Sequence, residues 1–157
     1  MRCYWHLDRR LVLSMQISDY DYIHKVQYYE TDAMGIAHHS NYIRWAEEAR
    51  CHFLYAIGFN WKDIAQRTGI MIPVLAQSVE HKKALAFGEI VRIQTKLIRF
   101  NGVKMDFEYE FYSAKDELCA RAATKHGFVD RNFQPVMLQN TLERECSAIM
   151  SYISKQA

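Results

Sequence analysis

The chain has 157 residues, half of them hydrophobic, and its 20 basic and 18 acidic residues give a formal net charge of +2. This length is enough for one sizeable hydrophobic core and short for two, so a single domain is expected. The near balance of charge excludes the strong overall field of many nucleic-acid-binding proteins, and no nucleic-acid partner is expected.

The N-terminal stretch MRCYWHLDRRLVLSM has a short apolar part that charges interrupt, with no small-residue cleavage site after it. We interpret residues 1–14 as an N-terminal extension and residues 15–157 as the domain. No stretch approaches the roughly 20 apolar residues of a membrane-spanning helix, so no transmembrane segment is expected. The four scattered cysteines, without a CxxC pair, favour free thiols in a reducing cytoplasm, which is the expected location.

The first half of the chain predicts one strand and two helices. Residues 23–30 (IHKVQYYE) are rich in β-branched and aromatic residues, which is typical of a strand. Apolar residues at three- and four-residue steps then predict a helix, with Ser40 or Asn41 as N-cap and Gly58 at its end. Residues 60–69 (NWKDIAQRTG) predict a short second helix. The apolar stripe of the first helix consists of Tyr42, Trp45, Ala46, Ala49, Phe53, Ala56 and Ile57.

After the second helix the pattern alternates for about 60 residues, as strands with one buried face do. Strands are predicted within residues 70–81 (IMIPVLAQSVEH), 89–100 (EIVRIQTKLIRF), 103–112 (VKMDFEYEFY) and 118–130 (LCARAATKHGFVD). The Asn-Gly pair at 101–102 predicts a tight hairpin, because both residues tolerate positive φ. Such connections favour an antiparallel sheet.

The last segment, residues 140–153 (NTLERECSAIMSYI), predicts a C-terminal helix, with Asn140 and Glu143 spaced as a capping box. One strand before the helices and four after them predict an α+β domain, in which an amphipathic helix covers one face of an antiparallel sheet.

The stretch YYETDAMGIAHHSNYIRWAEEAR, residues 28–50, resembles the signature of hotdog-fold acyl-CoA thioesterases of the 4-hydroxybenzoyl-CoA thioesterase and YbgC type. It shares the aromatic pair, T-D-x-x-G, a histidine four residues after the glycine, N-Y and E-x-A-R. The resemblance implies a hotdog fold, in which an antiparallel five-stranded sheet wraps around a long central helix. It also implies a homodimer or homotetramer, with sites at the subunit interface.

The implied activity is hydrolysis of an acyl-CoA or acyl carrier protein thioester to a free acid and a thiol, without a bound cofactor. Asp32 matches the catalytic carboxylate, which acts as a nucleophile or as a general base. His39 matches the position whose backbone N–H polarises the thioester carbonyl, and its side chain is also implicated in YbgC-like relatives. Residues expected to border the substrate are Tyr28, Gly35, His38, Asn41 and Tyr42.

Elementary chemistry agrees with these assignments. Thioester hydrolysis needs a nucleophile or an activated water, and donors aimed at the oxygen that becomes negative. An aspartate side chain is ordinarily ionised at pH 7. A helix start offers unpaired N–H groups and about half a positive charge. We expect the turn at Gly35 to bring the Asp32 carboxylate towards such a helix start.

Ordinary interpretations of the same residues stay open. A T-D-x-x-G segment before a helix is also typical of a capped turn. His38 and His39 with Glu47 suggest a metal site, but adjacent residues diverge at a helix start, and hydrolytic zinc needs three convergent ligands, so no metal is expected. Glu47 and Arg50 are spaced as a surface ion pair.

The remaining predictions concern substrate and rival functions. Basic side chains could bind coenzyme A phosphates or form a solvated surface. A hydratase or dehydratase of the same fold and a non-catalytic acyl-thioester-binding protein are the alternative functions. Cys51 and Cys119 are expected to be core thiols. The basic candidates are His81, Lys82, Lys83, Arg99, Arg121 and Lys125.

Overall fold

The computed structural model describes residues 17–155, which form one five-stranded sheet and three α-helices. The predicted α+β class and order of elements are confirmed, whereas the extension predicted for residues 1–14 lies outside the described residues. The strands are β1 (Tyr22–Lys25), β2 (Val74–His81), β3 (Ile90–Phe100), β4 (Lys104–Ser113) and β5 (Leu118–Gly127). The helices are α1 (His39–Ala56), α2 (Trp61–Thr68) and α3 (Glu143–Ser154), and short 3₁₀ turns lie at Tyr28–Glu30 and Leu138–Asn140.

The sheet is antiparallel throughout, in the order β1-β3-β4-β5-β2. At its centre, Tyr109 on β4 lies opposite Thr95 on β3 and Ala122 on β5. Residues directly opposite each other share a face of the sheet, so these three point towards the core. The predicted alternation is confirmed, because Met105 and Phe107 on the same face of β4 are also buried.

The predicted Asn-Gly hairpin joins β3 to β4. Gly102 has φ of +82°, and the Asn101 side-chain oxygen accepts the backbone N–H groups of Val103 at 3.1 Å and Lys104 at 2.8 Å. The asparagine thus satisfies backbone donors at the turn, while the glycine supplies the left-handed conformation.

Helix α1 covers the inner face of the sheet and contacts β1, β2, β3 and β5. Its residues Trp45, Ala46, Ala49 and Phe53 are at most 1% exposed. The two alanines allow close approach to the sheet, and the Phe53 ring packs edge-on against Phe107 at a centroid distance of 5.9 Å. This packing fixes where the helix begins, and therefore where its N-terminal groups lie.

Two predicted boundaries before and at α1 are wrong. The strand predicted for residues 23–30 pairs only as far as Lys25, after which the chain turns into the 3₁₀ segment. The N-cap of α1 is His38, rather than Ser40 or Asn41, and its Nδ1 accepts the Ser40 N–H at 3.3 Å. An imidazole nitrogen here replaces the side-chain oxygen that usually caps a helix.

The predictions for the starts and ends of the other two helices have opposite outcomes. The α2 boundaries are confirmed, because the Asn60 side chain accepts the Asp63 N–H at 3.4 Å and Gly69 ends the helix with φ of +70°. The capping box predicted for α3 is wrong, since its N-cap is Leu142, which makes no side-chain hydrogen bond. Leu142 is 1% exposed, so its burial in the core accompanies this boundary.

Within residues 17–155, no helix combines the length and the apolar composition needed to cross a membrane.

Candidate functional site

A tight turn presents Asp32 between the 3₁₀ segment and α1. The Gly35 N–H binds the Asp32 carbonyl at 2.9 Å, and the Asp32 N–H binds the Ile36 carbonyl at 2.9 Å. Gly35 has φ of +74° with open space where a Cβ would lie, so the glycine is required by conformation rather than by crowding. Thr31 and Ala37 pair on either side, which makes residues 31–37 a small hairpin, here called the Asp32 hairpin.

The Asp32 carboxylate is partly exposed at the tip of this hairpin. Its Oδ1 accepts the Met34 N–H at 2.8 Å. This hydrogen bond forms the capped turn that was the ordinary interpretation of the T-D-x-x-G segment. Hydrogen bonding at Oδ1 leaves Oδ2 without a hydrogen-bond partner among residues 17–155.

The start of α1 follows directly after the hairpin. The His39 N–H, at the first helical position, has no acceptor in the part of the chain that the structure describes. His38 is occupied as the N-cap, with Nδ1 also 2.9 Å from the Ser40 hydroxyl, and its ring packs 4.0 Å from that of His39. The helix dipole adds partial positive charge at this end. The His39 amide is therefore a free, oriented donor.

The residues predicted to border the substrate separate into an exposed group and a buried group. Tyr28 is 77% exposed and packs edge-on against Phe87, with Gly35 and His38 also accessible to solvent. Asn41 is buried, and its side-chain NH₂ donates to the Glu30 carbonyl at 2.7 Å. The structure therefore shows a structural contact for Asn41, and its contact with substrate stays a prediction.

Tyr42 is also buried, and it packs against aromatic neighbours from three elements. Its ring lies 5.0 Å from Trp45, 4.6 Å from His81 on β2 and 5.5 Å from Phe111 on β4. Burial, with smaller contributions from Cys119 and Glu89, raises the pKa of Tyr42 to about 12. Tyr42 is thus a neutral phenol at neutral pH, and it brings the exposed His81 of β2 close to the first turns of α1.

Glu30 is a buried acid that the sequence analysis did not single out. Its carboxylate accepts the Gln27 N–H and the Trp45 Nε1–H, both at 2.8 Å, and lies 2.8 Å from His24 Nε2. The available signal was an acid within a stretch of β-branched and aromatic residues, two positions before Asp32. That signal was weak, because alternation would place such an acid on the solvent face.

The predicted ion pair of Glu47 and Arg50 is present, but its predicted surface location is wrong for Arg50. Arg50 is buried, and its guanidinium lies 2.8 Å from Nε2 of His126, with Glu47 at 3.8 Å. Burial, followed by the positive charge of Arg50, lowers the pKa of His126 to about 3. The neutral imidazole also lies 2.8 Å from the Thr124 hydroxyl, which is 3.0 Å from that of Tyr109.

Three of the six predicted basic candidates already have acidic partners. Lys82 pairs with Glu80, Lys83 with Glu117 at 2.5 Å, and Arg121 with Glu110 at 3.1 Å. Arg99 and Lys125 have no ion-pair partner among the described residues, which leaves them as the freer candidates for a phosphate. The ion pairs around Lys82, Lys83 and Arg121 favour the solvated-surface interpretation for those three residues.

The cysteines and histidines provide no further assembled site within residues 17–155. Cys119 is a buried thiol as predicted, whereas Cys51 is exposed, so its prediction as a core thiol is wrong. Burial raises the pKa of Cys119, although a backbone hydrogen bond opposes this, and the thiol is inert as a nucleophile at neutral pH. No group of three or more His, Cys, Asp or Glu side chains in this range is placed to hold a metal ion.

Residues 26–143 match the family model described as the thioesterase-like superfamily. YneP of Bacillus subtilis strain 168, named a putative acyl-CoA thioesterase, is 34% identical over 116 residues, which are 73% of this chain and 83% of YneP. The acyl-CoA thioester hydrolase YbgC of Escherichia coli O6:H1 is 25% identical over 62% of this chain and 72% of YbgC. The crystal structure of a DHNA-CoA thioesterase from Staphylococcus aureus superposes with a TM-score of 0.82 at 27% identity, covering 85% of this chain and 90% of that one. Because the family match includes the Asp32 hairpin, the whole of α1 and four of the five strands, the chain belongs to the thioesterase-like superfamily.

Proposed function

We propose that this chain hydrolyses acyl-CoA thioesters, with Asp32 as general base or nucleophile and the His39 backbone N–H as donor to the oxyanion. The superfamily, and the names of YneP and YbgC, support thioester hydrolysis. One observation carries the residue assignment: the Asp32 hairpin leads directly into the free N–H at the start of α1. The His38 N–H also binds the Glu30 carbonyl at 2.8 Å, which ties the helix start to the residue before the hairpin.

The general-base route accounts for every atom of the reaction. The Asp32 carboxylate removes a proton from water as its oxygen attacks the thioester carbonyl carbon. The carbonyl oxygen becomes negative, and the His39 N–H and the helix dipole stabilise it. The C–S bond then breaks, the thiolate leaves, and the proton held by Asp32 passes to the thiolate. The free acid and the free thiol are the products.

In the nucleophile route, an Asp32 oxygen attacks the carbonyl carbon itself and the thiolate leaves. Water then cleaves the resulting anhydride and regenerates the carboxylate. Both routes use the same oxyanion donor, so the tests below apply to either.

The proposal includes the hotdog arrangement of the family, with α1 as the central helix that the sheet wraps, and a homodimer formed edge to edge. Support for the dimer comes from β2, which lies at the edge of the sheet and is exposed along most of its length. An exposed strand edge offers unpaired N–H and C=O groups to another strand. For location we propose the cytoplasm, since Cys51, Cys119 and Cys146 are all free thiols.

The first test follows free thiol released from a panel of short, long and aromatic acyl-CoA substrates. Asp32→Asn keeps the size of the side chain and an acceptor for the Met34 N–H, so the fold is preserved while the basic oxygen is lost. We expect a loss in kcat on the order of 100-fold or more. Wild-type release by this variant, or no release from any substrate by the wild type, contradicts the proposal.

The second test removes only the proposed oxyanion donor. Proline is well tolerated at the first helical position and has no N–H, and His38 already has the extended conformation, φ −62° and ψ 137°, that a following proline requires. We expect His39→Pro to lower kcat on the order of 100- to 1000-fold. His39→Ala is the matched control, because it removes the side chain and keeps the amide.

The same substrates separate the two rival functions. A hydratase or dehydratase would convert enoyl-CoA and hydroxyacyl-CoA into one another without releasing thiol. A non-catalytic protein would bind acyl-CoA, measurable by calorimetry, without turnover.

A further inference from the structure

Glu30 joins three separate parts of the fold through its side chain. The residue is 7% exposed, and all the described donors around its carboxylate lie at 2.8 Å. Trp45 belongs to α1, His24 to β1, and the Gln27 N–H to the start of the 3₁₀ segment. Both carboxylate oxygens are used, so this side chain has a single well-defined position.

The main-chain carbonyl of Glu30 makes a second set of contacts. It accepts the His38 N–H at 2.8 Å and the Asn41 side-chain NH₂ at 2.7 Å. These donors are the N-cap and the first turn of α1. Glu30 is therefore connected to both ends of the segment that carries Asp32. The peptide bond to Thr31 connects it to the start, and the hydrogen bond from the His38 N–H connects it to the end.

The ionisation of Glu30 suits these contacts. Burial raises the pKa of this carboxyl, but the hydrogen bonds from Gln27, Trp45 and His24 outweigh burial and lower the pKa below its ordinary value. Glu30 is consequently an anion at neutral pH, and an anion accepts every one of these hydrogen bonds.

We propose that Glu30 is a positioning residue for thioester hydrolysis, which holds the Asp32 carboxylate at a fixed distance from the His39 N–H. The inference rests on the proposed function, because that function makes these two groups the reacting base and the oxyanion donor. A displacement of about 1 Å in a catalytic group can cost on the order of 100-fold in rate. Glu30 is buried beneath the hairpin, so its loss affects the reacting geometry more than substrate binding.

Glu30→Gln is the variant that tests this role. The amide oxygen can still accept the Gln27 N–H, but the NH₂ group then faces the Trp45 Nε1–H, donor against donor. With the folded fraction confirmed by circular dichroism, we expect kcat to fall on the order of 10- to 100-fold. We expect KM to change less than about threefold, because uniform binding is retained.

Asp21→Asn is the matched control for loss of a buried carboxylate. Asp21 is 1% exposed, accepts the Ser18 N–H at 3.0 Å, and faces Arg92 at 3.4 Å. It precedes β1, whereas the Asp32 hairpin follows the opposite end of that strand. Loss of a purely structural acid should lower the melting temperature without lowering kcat of the folded protein. This is the result expected for Asp21→Asn.

A double-mutant cycle with Asp32→Asn isolates the positioning effect. If Glu30 acts by placing Asp32, Glu30→Gln should lower the residual rate of Asp32→Asn much less than it lowers the wild-type rate. Equal fold-losses in both backgrounds, or a wild-type kcat for folded Glu30→Gln, overturn the inference. Should Glu30→Gln not fold, Trp45→Phe removes one donor to the same carboxylate and is expected to lower kcat several-fold; unchanged kcat overturns the inference.

The two proposals fail in different ways. If Asp32→Asn is inactive while Glu30→Gln is fully active, only the positioning role is overturned. If Asp32→Asn keeps wild-type activity, the proposed function fails, and the positioning role fails with it.

Discussion

Helix α1 anchors two buried polar networks that differ in charge and in the source of their partners. The Glu30 network, at the start of the helix, surrounds an anion with donors from neighbouring segments. The Arg50 network, further along the helix, places a guanidinium against His126 and reaches Thr124 and Tyr109 on the central strands. The first is local in sequence, whereas Arg50 and His126 are 76 residues apart.

This difference indicates different tasks. A network of local contacts beside a solvent-exposed turn can set the shape of that turn, so its disruption should alter activity. A network that connects α1 to β5 through the core joins the two layers of the fold, so its disruption should alter stability. The predictions below test this division, from the largest expected effect on stability to the smallest.

The largest expected loss follows from removing the acceptor of the buried cation. His126→Leu removes the imidazole nitrogen that lies 2.8 Å from the Arg50 guanidinium, whereas the Glu47 carboxylate is more distant, at 3.8 Å. We expect the free energy of unfolding to fall by about 3 kcal/mol, since an unsatisfied buried charged group is costly. Urea denaturation measures this loss. Thiol release per folded molecule should not change.

The matched double variant, Arg50→Met with His126→Leu, removes the charge as well as its acceptor. Replacement of a buried polar pair by apolar residues is often close to neutral, so most of the lost stability should return. A double variant less stable than His126→Leu would show that the two residues are not coupled as described.

The second prediction concerns acid sensitivity. The folded state holds the pKa of His126 at about 3, whereas an unfolded histidine titrates near 6.5. At a pH between these two pKa values, His126 is protonated in the unfolded state but not in the folded state. The free energy of unfolding therefore falls as pH falls, by up to about 1.4 kcal/mol per pH unit. Urea titrations from pH 7 to pH 5 measure the slope. In His126→Gln the slope should be shallower, and an identical slope would contradict the assignment.

The third prediction moves to the Glu30 network. Asn41→Ala removes the NH₂ group that binds the Glu30 carbonyl. We expect a loss of about 1.5 kcal/mol, because a buried acceptor loses one of its two donors. Unlike His126→Leu, this variant should also lower kcat. If the variant loses stability but keeps full kcat, the proposal that the Glu30 network affects activity and the Arg50 network affects stability is contradicted.

The smallest expected effect is at the N-cap of α1. His38→Ala removes the acceptor for the Ser40 N–H and should cost about 1 kcal/mol. Asparagine is among the preferred N-cap residues, so His38→Asn should retain most of that stability. Thermal unfolding of the two variants gives the difference. Equal melting temperatures would show that the imidazole contributes little as a cap.

The elements that could be predicted from the sequence are those that local rules determine. The alternation of β4 and the Asn101–Gly102 turn depend on residues within a few positions of each other, and both are confirmed. The end of α2 at Gly69 is of the same kind. Each of these features needs no knowledge of distant strands.

Two residues that were misjudged or missed, Arg50 and Glu30, have surroundings that several elements build together. The helical spacing of Glu47 and Arg50 is compatible with a surface pair, and only the position of β5 reveals that Arg50 is buried against His126. Glu30 was missed because its donors come from β1, a turn and α1 together. For Asp32 the sequence located the turn, while its catalytic role still depends on the tests above.

The exposed edge formed by β2 affects how the protein can be handled. Val74 and Leu75, at the start of this strand, are 52% and 53% exposed, and the outer edge of the strand has no partner within residues 17–155. Such an edge is a template for pairing between chains. Dilution below the concentration at which chains pair should therefore yield monomers whose β2 edge is uncovered. Lysine substitutions at Val74 and Leu75 should weaken this pairing, as charged residues do at natural sheet edges.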